Sequence, residues 1–272
     1  RKHLPEAEFA RQMRELRRRG APVSMDQVLH SAIHGEALPP NAFAVTFDDG
    51  FENNLSVAAP ILADLGIPAC FYVTTGFVEH NAMSWIDRIE QAVEAARPGA
   101  IRLPWAEEPM AFDAPAERIA LLDAVRAEAK RLPDLDLDAL ADDVAAQCGV
   151  EPVAEGDGPL DRKLTWDQVR ELAGRDGCAV GGHTVGHAIL SHLDDAALER
   201  EIGDCLDALR LKAGVGPTHF SYPEGLDHCF DGRVIAALRR HQVACCPTAM
   251  DGDNPLRPAP DDLFHLKRIM VA

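Results

Sequence analysis

The chain has 272 residues, 47% hydrophobic and 26% charged, with a formal net charge of −17. That length suffices for one large globular domain or a domain with a sizeable insertion. The acidity excludes the basic face that nucleic-acid phosphates require and disfavours adhesion to an anionic membrane.

Arg1 to Arg19 reads as a basic helix with Phe9, Met13 and Leu16 on one face, the arginines lying on a solvated flank. After Pro39-Pro40, the apolar run Ala42–Phe47 predicts a buried strand that stops at Asp48-Asp49-Gly50. Leu55, Ala58, Ile61, Leu62 and Leu65 carry a helix over about 54–65, closed by Gly66 as its C-cap. Pro68–Thr75 is a second strand, and this strand–helix–strand unit predicts a parallel α/β sheet or barrel.

From about Met83 to Gly158 the alternation is lost. Helical patterns at Ile86–Ala96, Pro115–Arg131 and Leu137–Cys148, separated by prolines, predict a helical insertion at 83–158 within a single catalytic domain spanning 1–272. Thr165-Trp166-Asp167-Gln168 matches a capping box that starts a helix through Leu172. Cys178–Gly182 then reads as a strand running into His183, Asp195–Lys212 as a long helix and Thr218–Tyr222 as a strand. Helix Gly232–Arg240 and strand Gln242–Cys246 complete the series. The cysteines number seven, Cys245 and Cys246 are adjacent and no Cys-x-x-Cys pair occurs, which predicts reduced thiols and a cytoplasmic location. No stretch is long and apolar enough to span a bilayer, and the first nine residues hold no apolar signal core.

Two constellations carry chemistry. In Thr46-Phe47-Asp48-Asp49-Gly50 two adjacent carboxylates leave the C-terminal end of a predicted parallel strand, where α/β folds place reacting groups. Successive residues point in different directions there, so one can bind a metal while its neighbour accepts a proton. In Gly182-His183-Thr184-Val185-Gly186-His187, the His-x-x-x-His spacing places two imidazoles on one side of a helical turn, suited to one metal. Two neutral imidazoles and one carboxylate hold a divalent ion with open positions, lowering the pKa of water and polarising a carbonyl oxygen. Asp48 is then placed to take the water's proton.

These two segments resemble the first two motifs of the polysaccharide deacetylases, the NodB-homology group of carbohydrate esterase family 4. Phe220-Ser221-Tyr222-Pro223-Glu224-Gly225 is similar to the third motif. The resemblance runs over most of Phe9–Pro98 and Lys163–Met270. It implies a distorted (β/α) barrel and a hydrolase that removes an N-acetyl or other N-acyl group from an amino sugar in a glycan or glycan precursor. It implies Asp49, His183 and His187 as ligands of one divalent metal, usually Zn²⁺, with Co²⁺, Ni²⁺, Mn²⁺ or Fe²⁺ as alternatives. It further implies Asp48 as general base, Tyr222 and Pro223 lining the substrate groove, and the Glu224 backbone N–H as an oxyanion donor.

The chain departs from the family pattern in three places. Ser221 stands where many members carry an arginine that braces the base, so Asp48 needs another partner here. Glu224 replaces a common aromatic. The C-terminal catalytic histidine motif is indistinct, and His265, in Phe264-His265-Leu266-Lys267-Arg268-Ile269, is the candidate general acid, though related sequences often carry Leu-x-Arg-Ile there with no acid. Two further readings stand beside deacetylation. One is a catalytically impaired carbohydrate-binding protein on the same fold. The other is a non-haem iron oxygenase, which the two histidines and one carboxylate also suit.

Overall fold

The computed structural model describes residues 4–271. The first three residues of the expected basic helix lie outside the described residues. The helix itself, α1, is Glu6–Arg19, with Glu6 and Glu8 in its first turn and Arg17, Arg18 and Arg19 in its last, each set complementing the helix dipole. Strand β1 (Ala21–Pro22) follows, then α2 (Met25–His34), capped by a reciprocal Ser24–Gln27 capping box. The expected strand at 42–47 is two pieces, β2 (Ala42–Phe43) and β3 (Val45–Phe47). β2 pairs in parallel with β1, and β3 with β4 (Ala69–Val73). The intervening helix opens as a π-helical turn at Asn54–Ala58 and continues as α3 (Ala59–Asp64). Strand β4 leads directly into α4 (Thr75–His80).

The chain divides into two compact units, Arg1–Asn81 with Gly158–Ala272, and Ala82–Asp157. The second unit contains α5 (Trp85–Ala95), an antiparallel pair β5 (Ala100–Ile101) and β6 (Met110–Ala111), α6 (Pro115–Ala129) and α7 (Leu137–Cys148). Its own apolar core includes Trp85, Ile89, Ile101, Leu121, Val125 and Val144. Arg88, on α5, pairs with Asp138 and Asp142 on α7.

The first unit resumes with α8 (Trp166–Ala173), begun by the Thr165–Gln168 capping box, and β7 (Cys178–Gly182). Helix α9 (Asp195–Ala208) ends in a π-helical turn at Leu209–Ala213, and α10 (Gly232–Arg240) is the last α-helix among the described residues. The parallel order β3–β4–β7 puts β4 in the centre. Phe71, Tyr72 and Val73 are wholly buried, as a central parallel strand covered on both faces demands. All seven cysteines are free thiols.

The architecture is mixed α/β, but a closed barrel is not formed by these sheets, which are small and open among the described residues. The strands expected at Thr218–Tyr222 and Gln242–Cys246 reduce to single parallel bridges, Gly182 to Phe220 and His219 to Cys245. Proline supplies the reason. Pro217, Pro223 and Pro247 flank these segments, and a residue without an N–H cannot extend a ladder.

Candidate active site

The carboxyl ends of β3, β4 and β7 converge on the two sequence constellations. At the exit of β3 the backbone turns left-handed at Asp49 (φ 73°) and again at Gly50 (φ 76°). Aspartate tolerates that region better than most residues. At Gly50 a side chain would be strained, and its Cβ would lie 3.3 Å from Val73 Cγ1. This turn separates the neighbouring carboxylates. Asp49 points toward the histidines and Asp48 toward Arg268.

Asp49 is 8% exposed and His183 1%. Asp49 Oδ1 lies 3.5 Å from His183 Nε2 and 3.3 Å from His187 Nε2. One donor atom from each of the three residues falls within 4.8 Å of the others, the one such group among the described residues. The expected helical turn at 183–187 is not formed. The segment is a loop with left-handed backbone at Thr184 (φ 66°) and His187 (φ 59°), so the imidazoles converge by loop geometry. Their ring centroids are 4.9 Å apart. His183 Nδ1 is 2.8 Å from the Ser221 carbonyl oxygen. A carbonyl only accepts, so Nδ1 carries the proton and Nε2 presents its lone pair toward Asp49. His187 Nδ1 is buried with no hydrogen-bond partner. An imidazole nitrogen fixed by a backbone carbonyl on its far side, a second imidazole and a carboxylate, with donor atoms this close, fit a divalent transition-metal ion.

Asp48 has a partner that sequence reasoning missed. Arg268 grips it bidentately, Nη1 to Oδ1 at 2.9 Å and Nη2 to Oδ2 at 2.9 Å. Arg268 is itself tethered, Nε to the Thr248 carbonyl at 2.5 Å and Nη1 to Thr46 Oγ1 at 3.3 Å. Ser221 Oγ reaches Asp48 Oδ2 only at 3.5 Å, the limit of a hydrogen bond. The arginine absent from position 221 is thus supplied from 220 residues away in sequence. The signal was present in Leu266-Lys267-Arg268-Ile269, but nothing local tied it to Asp48. Burial pushes the Asp48 carboxyl up, yet the charges of Arg268 and His183 outweigh it and hold it below the ordinary aspartate value. Burial likewise pushes His183 down, and Asp48 and Asp49 outweigh that to leave it raised.

The remaining candidates are Tyr222, Pro223, Glu224 and His265. Tyr222 is buried, stacked on Phe230 at 4.2 Å, with its hydroxyl donating to the Phe264 carbonyl at 3.2 Å. Pro223 is buried and Glu224 half-buried. Glu224 and Gly225 both have positive φ, 60° and 58°. His265 is exposed, its ring 5.6 Å from that of Phe230, and among the described residues no hydrogen bond or ion pair joins it to Asp48, Asp49, His183 or His187.

The polysaccharide deacetylase profile matches residues 35–245, and the chain belongs to that family, the NodB-homology group. No curated protein sequence matches it significantly. Among solved structures it is similar to the Streptococcus pyogenes deacetylase PplD in complex with acetate, at 17% identity and a TM-score of 0.60, covering 98% of this chain and 80% of that one. It is similar to IcaB from Ammonifex degensii at 17% identity and a TM-score of 0.59, covering 99% and 84%. It is also similar to the deacetylase domain of BpsB from Bordetella bronchiseptica at 17% identity and a TM-score of 0.54, covering 92% and 78%. At that identity the likeness is one of fold. The comparisons give no support to an oxygenase or to an inactive binding protein.

Proposed function

We propose that this protein is a metal-dependent carbohydrate deacetylase that hydrolyses the N-acetyl, or another N-acyl, group of an amino sugar within a glycan. The observation that carries the reading is the convergence of Asp49, His183 and His187 beside an arginine-paired Asp48 at the ends of parallel strands. Membership of the deacetylase family supports it.

Asp49, His183 and His187 would hold the ion, with Zn²⁺ the proposed species, since two imidazoles and a carboxylate form a recurrent catalytic zinc set. When bound, the ion supplies Lewis-acid polarisation of the acyl oxygen and a lowered pKa for water at the site. Asp48 is the general base. Its carboxylate is ionised at neutral pH, and the Arg268 fork fixes its plane. The left-handed turn at Glu224-Gly225, with Tyr222 and Pro223 preceding it in sequence, is the proposed substrate-side element. The general-acid role of His265 rests on its place in the sequence, and His265→Ala tests it, since that role requires kcat to fall on the order of 10²-fold. We read residues 82–157 as an insertion into the deacetylase domain and the parallel strand order as that of a distorted barrel.

The test measures bound metal and acetate release from oligomers of N-acetylglucosamine with the same preparation. Stoichiometric divalent metal with metal-dependent acetate release is expected. Protein fully loaded with metal that releases no acyl group from any N-acylated amino sugar would overturn the reading.

A further inference from the structure

The loop that carries both imidazoles adopts a backbone shape its own residues resist. Thr184 and His187 are left-handed, a region that L side chains avoid. Such a conformation persists only where its surroundings over-determine it. Two sets of contacts meet that requirement, one on each side of the peptide groups.

On the carbonyl side the first turn of α4 donates. Thr75 N–H reaches the Thr184 oxygen at 3.1 Å and Gly76 N–H the Val185 oxygen at 2.9 Å. On the N–H side there is a single carboxylate. Glu201 Oε2 accepts from the Val185 N–H and the Gly186 N–H, both at 2.9 Å. The other oxygen, Oε1, lies 3.4 Å from where a Cβ on Gly186 would stand, so the carboxylate packs directly against the loop. Glu201 comes from the middle of α9, beside the buried Leu198, Ile202 and Cys205. Its position is therefore set by a packed helix. The two amides it holds lie between His183 and His187 in sequence.

We propose that Glu201 is the positioning residue of the His183–His187 loop. By accepting both amides it fixes the relative placement of the two imidazoles and so sets the metal affinity of the site. The inference rests on the reading of Asp49, His183 and His187 as metal ligands and deepens it. Glu201 acts through the backbone and is not itself a ligand. One oxygen makes both bonds, so the requirement is for an acceptor at that point. A glutamine amide oxygen meets it, whereas an aspartate, one methylene shorter, does not reach.

Glu201→Gln, Glu201→Asp and Glu201→Ala are compared with wild type. Zn²⁺ affinity is measured on the metal-free proteins by competition with a chromophoric chelator, alongside thermal unfolding without metal. Glu201→Gln should keep its affinity within about threefold, because both hydrogen bonds survive with a neutral acceptor. Glu201→Asp and Glu201→Ala should bind roughly 10–100-fold more weakly, the range found when groups that orient metal ligands are removed. A purely structural role would lower the unfolding temperature and leave the affinity of the folded protein unchanged, and that result overturns the proposal. Equal weakening in Glu201→Gln and Glu201→Ala overturns it too, because charge rather than the held amides would then be what matters. Should Glu201→Ala fail to fold, Glu201→Asp and Glu201→Gln carry the same comparison. Wild-type protein that binds no Zn²⁺ would instead refute the metal-site reading itself.

Discussion

Replacing Arg268 tests how the base is held. Arg268→Met keeps most of the side chain's volume and removes the fork. The pair it breaks is well enclosed, with side-chain exposures of 14% for Arg268 and 27% for Asp48. Truncating one partner of a buried, hydrogen-bonded charge pair costs about 2–5 kcal/mol, and the partial exposure of Asp48 places this one near the lower end. Two effects follow at Asp48. It loses the donors that fix its plane, and burial then acts on its carboxyl with the main opposing charge removed, so its pKa rises. General-base catalysis contributes on the order of 10²–10⁴-fold, so kcat for acetate release should fall by roughly 10²-fold with KM little changed. Arg268→Lys keeps the charge but not the bidentate geometry and should fall between, at roughly tenfold. The assay is acetate release across pH together with metal content. The acid limb of kcat should move to higher pH in Arg268→Met, while bound metal stays at the wild-type level because Asp49, His183 and His187 are untouched. Wild-type kcat in Arg268→Met, with an unshifted acid limb, would refute the argument that Arg268 positions the base.

Asp48→Asn should abolish most deacetylation, by on the order of 10²-fold or more, and leave metal binding largely intact, whereas Asp49→Asn should lose metal; paired metal and acetate measurements check both. An Asp48→Asn variant that loses metal as badly as Asp49→Asn would end the proposed division of labour. Chelation should stop acetate release, and adding back Zn²⁺ should restore it; activity that persists in demonstrably metal-free protein would contradict the mechanism. Protons compete with metal for His183, whose pKa is raised above its ordinary 6.5 by Asp48 and Asp49 against the effect of burial. Zn²⁺ affinity should therefore fall as pH drops through the raised His183 pKa, with proton release on binding. Calorimetry in buffers of different ionisation enthalpy measures that release, and pH-independent binding from 8 to about 5.5 would count against it.

The sequence alone determined the parallel strand–helix start, the capping box at Thr165, and the two segments that bring Asp48, Asp49, His183 and His187 to strand ends. Those signals are local. Apolar runs, cap residues and short spacings act over a few residues and need no knowledge of what packs where. Tertiary structure decided three other features. Thr218–Tyr222 and Gln242–Cys246 have strand-like composition, yet pairing is confined to single bridges between prolines. His-x-x-x-His suggested a helical turn, yet the segment is a left-handed loop, because the α4 amides and Glu201 hold its backbone from both sides. Asp48 is gripped by Arg268 rather than by a residue at 221, since a charge pair depends on proximity in space and the fold closes 220 residues of chain to make it.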